Sequence, residues 1–261
     1  MSNPTAIPPC EVLSTILPLA PIRRIGGIVL ISPSFRYSGN ILAKALVRPI
    51  YRMFVACKLN QKKRVFRRNA KLLLEKLKEA LDSNGILFWL EFGTLLGAYR
   101  EHGFIKHDYD LDIGVFFQNT TMVYDVLTKA GFKLIREFKV GDDGVDGFEQ
   151  TYEYAGVSID VFFFHKDENG AYCNSFSPFE GENKNLSLLQ VKKISVPYKG
   201  LSQILFEGMI LNVPDETDKY LQAHYGVNFM IPNEHFDYRK EATNIVWYTR
   251  EERIANSIIF E

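Results

Sequence analysis

The apolar residues change their periodicity at Gly85. Over residues 62–82, Phe66, Ala70, Leu73, Leu77 and Leu81 recur at helical spacing, and Gly85 follows as a stop. Beyond it the chain breaks into short apolar segments separated by turn residues: ILFWLEF (86–92), LDIGVFF (111–117), FKLIREFKV (132–140), FEQTYEYA (148–155) and VSIDVFFFH (157–165). Their aromatic and β-branched content predicts strands. A helix is expected from Met122 to Ala130, with Asn119, Thr120 and Thr121 as cap candidates and Gly131 as its stop. Another is expected over Asp215–Tyr225, with acids in its first turn, His224 in its last and Gly226 after it. The pattern is that of an α+β domain over residues 61–261.

Residues 1–60 read differently. The first 38 are punctuated by Pro, Gly and Ser around one apolar run, GIVLI, and suggest an irregular arm. From Gly39, Lys44, Arg48 and Arg52 recur beside Ile41, Ala45 and Met53, predicting a basic amphipathic helix with a kink at Pro49. The fold expected is therefore α+β, preceded by a basic, mostly helical segment.

Charge follows the same division. The chain carries 31 bases and 31 acids, yet 15 of the bases and only 3 of the acids precede residue 81. The basic segment suits either an anionic membrane surface or lipid-linked glycan, or the solvated face of helices packed on the core. It lacks the aromatic interleaving of a single-strand platform, so no nucleic acid partner is expected. No uninterrupted apolar stretch is long enough to span a membrane. The start does not read as a signal peptide, because Arg23 and Arg24 follow Pro8, Pro9 and Glu11 instead of preceding an apolar run. Cys10, Cys57 and Cys173 stand far apart with no CxxC pair, so neither a zinc knuckle nor a disulfide framework is suggested and a reducing compartment is the simpler reading. The compartment expected is cytoplasmic, with a peripheral place at the inner face of the membrane. With 46% hydrophobic and 24% charged residues, disordered and fibrous classes are excluded.

The residues that point to chemistry lie in HDYDLDIGV. In a strand, Asp110 and Asp112 share one face while Leu111 and Ile113 share the other. Adjacent carboxylates repel unless a cation holds them. An EF-hand loop counted from Asp108 would need Gly at position 6 and Glu at position 12, where Ile113 and Asn119 stand. In VSIDVFFF, Asp160 is the lone charge of an otherwise apolar strand, where burial is costly unless the carboxylate is paired or metal-bound. Asp110, Asp112 and Asp160 are thus candidate catalytic and metal-ligating residues for Mg²⁺ or Mn²⁺. The alternative is that Asp108 and Asp110 are solvated at a strand end and Asp160 pairs with a Lys or Arg.

Upstream, WLEFGTLLGAYR is a strand running into Gly93-Thr94 and then a helix-compatible run from Leu95 to Arg100. Such a junction lets backbone and a hydroxyl approach a phosphate, and it also serves as an ordinary turn and cap. His102, His107 and His165 are candidates for proton transfer or for purely structural roles.

Together, WLEFGTLLGAYREHGFIKHDYDLDIGV and FEGMILNVPDETDKYLQAHYGVNFMIPN resemble the signatures of the LicD / fukutin / fukutin-related protein family, over roughly Leu87 to Asn233. The resemblance implies a polymerase-β-like nucleotidyltransferase core, a mixed sheet with flanking helices. It implies transfer of phosphocholine or a polyol phosphate, such as ribitol or glycerol phosphate, from a CDP-linked donor to a glycan hydroxyl or lipid-linked oligosaccharide, with release of CMP. By position it implies Asp110 and Asp112 as the metal pair and Asp160 as the third carboxylate, taking part in metal binding or removing the acceptor proton. Gly93, Thr94, Arg100, Lys106 and Asp108 become substrate-binding candidates, with Arg100 facing the donor diphosphate. Two positions depart from the pattern: the usual Arg-His is Arg100-Glu101-His102, and the usual Trp before the acids is His107. Rival readings are a nucleotidyltransferase adding NMP to a small molecule or RNA, and a metal-binding adaptor without catalysis.

Overall fold

The computed structural model describes residues 22–25, 28–31, 41–179, 188–233 and 236–260. It forms two compact units, Met1–Val65 and Phe66–Glu261. In the first, β1 (Ile22–Ile25) and β2 (Ile28–Ile31) pair antiparallel, Ile22 opposite Ile31. The arm read as irregular therefore contains a strand pair, which a run as short as GIVLI does not announce by alternation.

The two helices expected on either side of residue 60 are one. Helix α1 runs from Ile41 to Ser83 without interruption at Pro49, and it spans the division between the units. Within the second unit Phe66, Ala70, Leu73, Leu74, Leu77 and Leu81 are buried, the stripe expected from the spacing. The helix ends where Gly85 takes φ +67°, with Gly85 N–H donating to the Asp82 carbonyl (3.0 Å) and Ile86 N–H to the Leu81 carbonyl (3.0 Å). That double bond closes the last turn, and the buried pair Leu81 and Ile86 seals it.

The sheet of the second unit follows from the strand patterns. β3 (Phe88–Leu90) leads to helix α2 (Phe92–Leu96), a wider turn over Gly97–Glu101, and β4 (Asp110–Phe116). After helix α3 (Thr120–Lys129) come β5 (Lys133–Val140), β6 (Phe148–Tyr154), β7 (Val157–Asp167), β8 (Gly170–Ser177) and β9 (Leu188–Val196). A separate hairpin, β10 (Leu201–Phe206) with β11 (Met209–Pro214), precedes helix α4 (Thr217–Tyr225), helix α5 (Tyr238–Glu241), β12 (Ile245–Trp247) and β13 (Ile254–Ile259).

The nine-stranded sheet has the order β12-β9-β13-β5-β6-β7-β4-β3, and β8 bridges β7 and β9. Because β9 also pairs with β13, the hydrogen bonds from β9 through β13, β5, β6, β7 and β8 return to β9. The sheet is mixed: β4 and β7 run parallel, and the other described pairs are antiparallel. The architecture is the α+β class expected.

Gly114 shows how sequence detail sets this packing. It faces Trp89 across the β3–β4 pair, and a Cβ there would lie 2.3 Å from the indole. The absent side chain is the space in which fully buried Trp89 sits, locking β3 against β4 just before the candidate turn.

Candidate active site

Alternation places the acids. On β4, Leu111, Ile113 and Val115 are fully buried, which turns Asp110 and Asp112 to the opposite face. On β7, Val157, Ile159 and Val161 are buried in the same way and Asp160 is turned out. The parallel register pairs Asp112 with Asp160 directly and Asp110 with Ser158. The row continues onto β6 and β5, where Thr151 stands opposite Asp160 and Arg136 opposite Thr151. One level of four adjacent strands thus carries Asp112, Asp160, Thr151 and Arg136.

Asp160 is held firmly. The Thr151 hydroxyl donates to its Oδ1, and Arg136 donates to Thr151 Oγ1 at 2.9 Å and approaches Asp160 Oδ1 at 3.5 Å. This is the ion pair that the alternative reading of Asp160 foresaw, formed on the same face as the other acids.

The turn before β4 is tied to the carboxylates. Thr94, buried, accepts the Asp112 N–H on its hydroxyl at 2.9 Å, and Glu91 N–H donates to the Asp112 carbonyl at 3.1 Å. Thr94 is therefore a positioner of Asp112. Phe92 takes φ +41°, an unfavourable conformation for a large side chain, so the turn is held by its surroundings. At Gly93 an added Cβ would lie 3.2 Å from Asp108 Oδ2 and 3.6 Å from Asp112 Oδ2. Both carboxylates thus face the bare backbone of Gly93.

The surroundings of Asp112 oppose its charge. Burial first, then Asp110, Asp160, Asp108 and Glu91, push its carboxyl well above the usual range. Burial and then Asp110, Asp108, Asp160 and Asp112 raise Tyr109, and burial followed by Asp112, Glu91 and Asp108 raises Tyr225, with Arg100 opposing. Glu149, buried on β6, is pushed up to about 8 by burial and Asp160, against Arg136 and Lys192.

Carboxylate oxygens suit Mg²⁺ or Mn²⁺, and the mutual repulsion around Asp112 is what such a cation relieves. Among the described residues, no three His, Cys, Asp or Glu side chains are gathered as a ready metal cage. The donor set fits a hard divalent cation by its chemistry alone.

The other candidates are placed as follows. Arg100 donates to the Phe229 carbonyl at 3.0 Å and to Glu101 at 2.8 Å, with its Nε buried and unpartnered. Lys106 is exposed, and its carbonyl accepts Arg67 at 3.3 Å. His102 is exposed at φ +54° and His107 is exposed. His165 stacks on Phe117 (4.7 Å) and Tyr172 (5.2 Å), a packing role, and burial lowers its pKa.

The residue the sequence reading missed is Glu91. It is fully buried and accepts the Trp89 indole N–H (2.8 Å) and the Tyr220 hydroxyl (2.6 Å) on Oε2, while His224 Nε2 meets Oε1 at 3.1 Å. Through these bonds one carboxylate joins β3, the Phe92-Gly93-Thr94 turn and α4. The signal was available: Glu91 is a lone charge in ILFWLEF, the same pattern that marked Asp160. Arg136, Thr151, Glu149 and Lys192 carried no such signal.

A cleft of about 370 Å³ opens on this face, bounded by Asp112 and Asp160 on one side and by Phe92, Tyr225, His224 and Lys192 around them.

Residues 85–216, half of the chain, match the family model described as LicD/FKTN/FKRP, nucleotidyltransferase domain. The chain belongs to this family. The acids Asp110, Asp112 and Asp160 and the Gly93-Thr94 turn fall inside the matched segment, while His224 and Tyr225 of the cleft lie beyond it. Among known proteins, the human ribitol-5-phosphate transferase FKTN is 29% identical over 181 residues, 69% of this chain and 37% of that one. The mouse ribitol 5-phosphate transferase FKRP is 26% identical over 153 residues, 56% of this chain and 29% of that one. An uncharacterized protein of Caenorhabditis elegans is 26% identical over 179 residues, 66% of this chain and 46% of that one. The chain spans a little over a third of the length of the FKTN relatives it matches.

Proposed function

We propose that the chain is a metal-dependent phosphotransferase with a polymerase-β-like nucleotidyltransferase core. It moves phosphocholine or a polyol phosphate, such as ribitol or glycerol phosphate, from a CDP-linked donor to a glycan hydroxyl or lipid-linked oligosaccharide and releases CMP. The observation that carries this reading is the in-register pair Asp112 and Asp160 beside the Gly93-Thr94 turn. Relatives named as ribitol-5-phosphate transferases support the class of group moved.

Phosphoryl transfer asks for positioning and charge neutralisation more than covalent chemistry. Asp110, Asp112 and Asp160 are the residues that would hold Mg²⁺ or Mn²⁺, whose chemistry when bound is to neutralise the diphosphate and the departing CMP. Gly93 lets the diphosphate approach the backbone without a side chain between it and Asp108 or Asp112. Thr94 fixes the β4 backbone at Asp112. Arg136 and Thr151 hold Asp160 on the cleft face, from which it aligns the acceptor hydroxyl. Arg100 supplies positive potential near Tyr225.

The basic N-terminal segment serves an anionic membrane surface or a lipid-linked acceptor, with the protein peripheral at the inner face of the membrane. Among the described residues no helix is long and apolar enough to cross a membrane. Co-sedimentation with anionic liposomes at low and physiological salt tests this part, and no binding at either removes it.

The deciding experiment incubates the protein and Mg²⁺ with CDP-ribitol, CDP-glycerol or CDP-choline and a glycan acceptor, and follows CMP. CMP release with a phospho-substituted glycan as co-product supports the reading. An acceptor that gains NMP from a nucleoside triphosphate, with pyrophosphate released and no CMP from any CDP donor, establishes the nucleotidyltransferase alternative instead.

A further inference from the structure

Lys192 is a cation buried where most lysines are not. It is 4% exposed at the centre of β9, with Ser175 of β8 as its register partner on one side and Trp247 of β12 on the other. Its Nζ lies 4.3 Å from the centre of the Tyr238 ring and 5.3 Å from that of Trp247. Ring faces attract an ammonium and fix its position, but they satisfy its three N–H donors poorly, so a buried ammonium among rings is completed by an anion.

The cleft supplies the place for one. Lys192, Ser175, Asp112 and Asp160 line the same cavity, and Lys192 is the Lys or Arg among its described lining residues. Arg100 and Arg136 are not among those lining residues; Arg100 donates to the Phe229 carbonyl and Glu101, and Arg136 to Thr151 and Asp160. A phosphate entering a cavity bordered by Asp112, Asp160 and Glu149 needs positive charge on its far side as well as at the acids.

We propose that Lys192 is the phosphate-binding cation of the cleft, holding an anionic phosphate of the substrate across from the Asp112 and Asp160 face. The identity of that phosphate as part of the reacting substrate rests on the phosphotransferase reading, whereas the capture of an anion rests on the cavity alone. Ser175, with its short side chain, leaves room for the phosphate beside the ammonium. Tyr238 and Trp247 are positioning residues that hold Nζ toward the cavity.

The test is calorimetric binding, with Mg²⁺ present, of CMP, pyrophosphate and glycerol 3-phosphate to the full chain and to its Lys192→Gln and Lys192→Arg variants. Lys192→Gln is expected to weaken the anions about tenfold or more while Lys192→Arg restores part of the loss. Loss confined to CMP and pyrophosphate places the nucleotide-side phosphate of the donor at Lys192, and loss confined to glycerol 3-phosphate places the transferred polyol phosphate there. Uncharged cytidine is the control, since a merely structural lysine would change cytidine and CMP binding alike. Equal anion binding by wild type and Lys192→Gln overturns the proposal. Should the variants not fold, thermal stabilisation of the wild type by pyrophosphate decides, and its absence at millimolar concentration overturns the proposal. Failure to release CMP from any CDP donor would sink the phosphotransferase reading and leave this binding result standing.

Discussion

Asp112 and Asp160 are register partners on the parallel strands β4 and β7, and only Asp160 has a hydrogen-bonded arginine within the same row, Arg136. The pair therefore divides its electrostatics unequally. Asp160 has its charge compensated, while half-buried Asp112 stands among Asp110, Asp160, Asp108 and Glu91 with its carboxyl raised well above the usual range. A group whose folded pKa lies above its unfolded value contributes instability that sets in as pH rises through the unfolded value and is complete above the folded one.

Asp112→Asn is accordingly expected to separate stability from activity. Without metal at neutral pH the variant melts no lower than wild type, because a repelled charge has been removed. CMP release falls about a hundredfold or more, since no neutral amide replaces the charge at the centre of the acid face. Circular dichroism melting and the CMP assay check both halves, and wild-type turnover by the variant would remove Asp112 from the site.

Gly93→Ala tests the turn. The new Cβ would meet Asp108 Oδ2 at 3.2 Å and Asp112 Oδ2 at 3.6 Å, distances that a small shift of a carboxylate relieves. Folding should survive, while a methyl group now occupies the approach to the backbone. The expected outcome is a KM for the CDP donor raised about tenfold or more with a smaller loss in kcat. Unchanged kinetics would show that the donor does not pass Gly93.

How much of this was legible beforehand depended on whether a residue's neighbours were near in sequence. The stripe Phe66 to Leu81, the Gly85 stop and strands β4 to β7 all express local periodicity, and each lies within a residue or two of its expected place. The out-turned acids were legible because alternation sets the face. The closure of the ring by β8, β9 and β13 was not, because it depends on pairings between residues as distant as Asn256 and Leu188. For the same reason the bonds that Thr94 and Arg100 make within the fold were not legible. Their partners, the Asp112 amide and the Phe229 carbonyl, are backbone groups that no side-chain motif displays. The helix continues through Pro49, where the sequence predicts a kink, because a proline removes one hydrogen bond and the rest of a 43-residue helix outweighs it.

Glu91 should prove structurally more demanding than any acid of the cleft. Glu91→Ala leaves the Trp89 indole, the Tyr220 hydroxyl and His224 without their shared acceptor inside the protein. Removing one member of a buried charged network costs about 3–5 kcal/mol, so a large drop in the urea midpoint is expected. Glu91→Gln retains one acceptor oxygen and should lose less than half as much. Equal stability of Glu91→Ala and wild type would show that the network contributes nothing.

Glu149 gives the fold a measurable pH dependence. Its carboxyl rises from 4.5 to about 8, chiefly through burial and then through Asp160. Below pH 4.5 the carboxyl is protonated in both folded and unfolded chains and costs nothing. Between pH 4.5 and 8 the unfolded chain releases the proton that the folded one retains, so stability falls with rising pH, by at most about 1.4 kcal/mol per unit for a single group. Above about 8 both states are ionised and the penalty is constant. Glu149→Gln removes this contribution, so the difference in stability between variant and wild type should grow from pH 5 to 8 and then level off. Urea titrations at pH 5, 6, 7, 8 and 9 without metal measure that difference, and a flat difference across the range would mean that Glu149 is already ionised in the folded protein at pH 5.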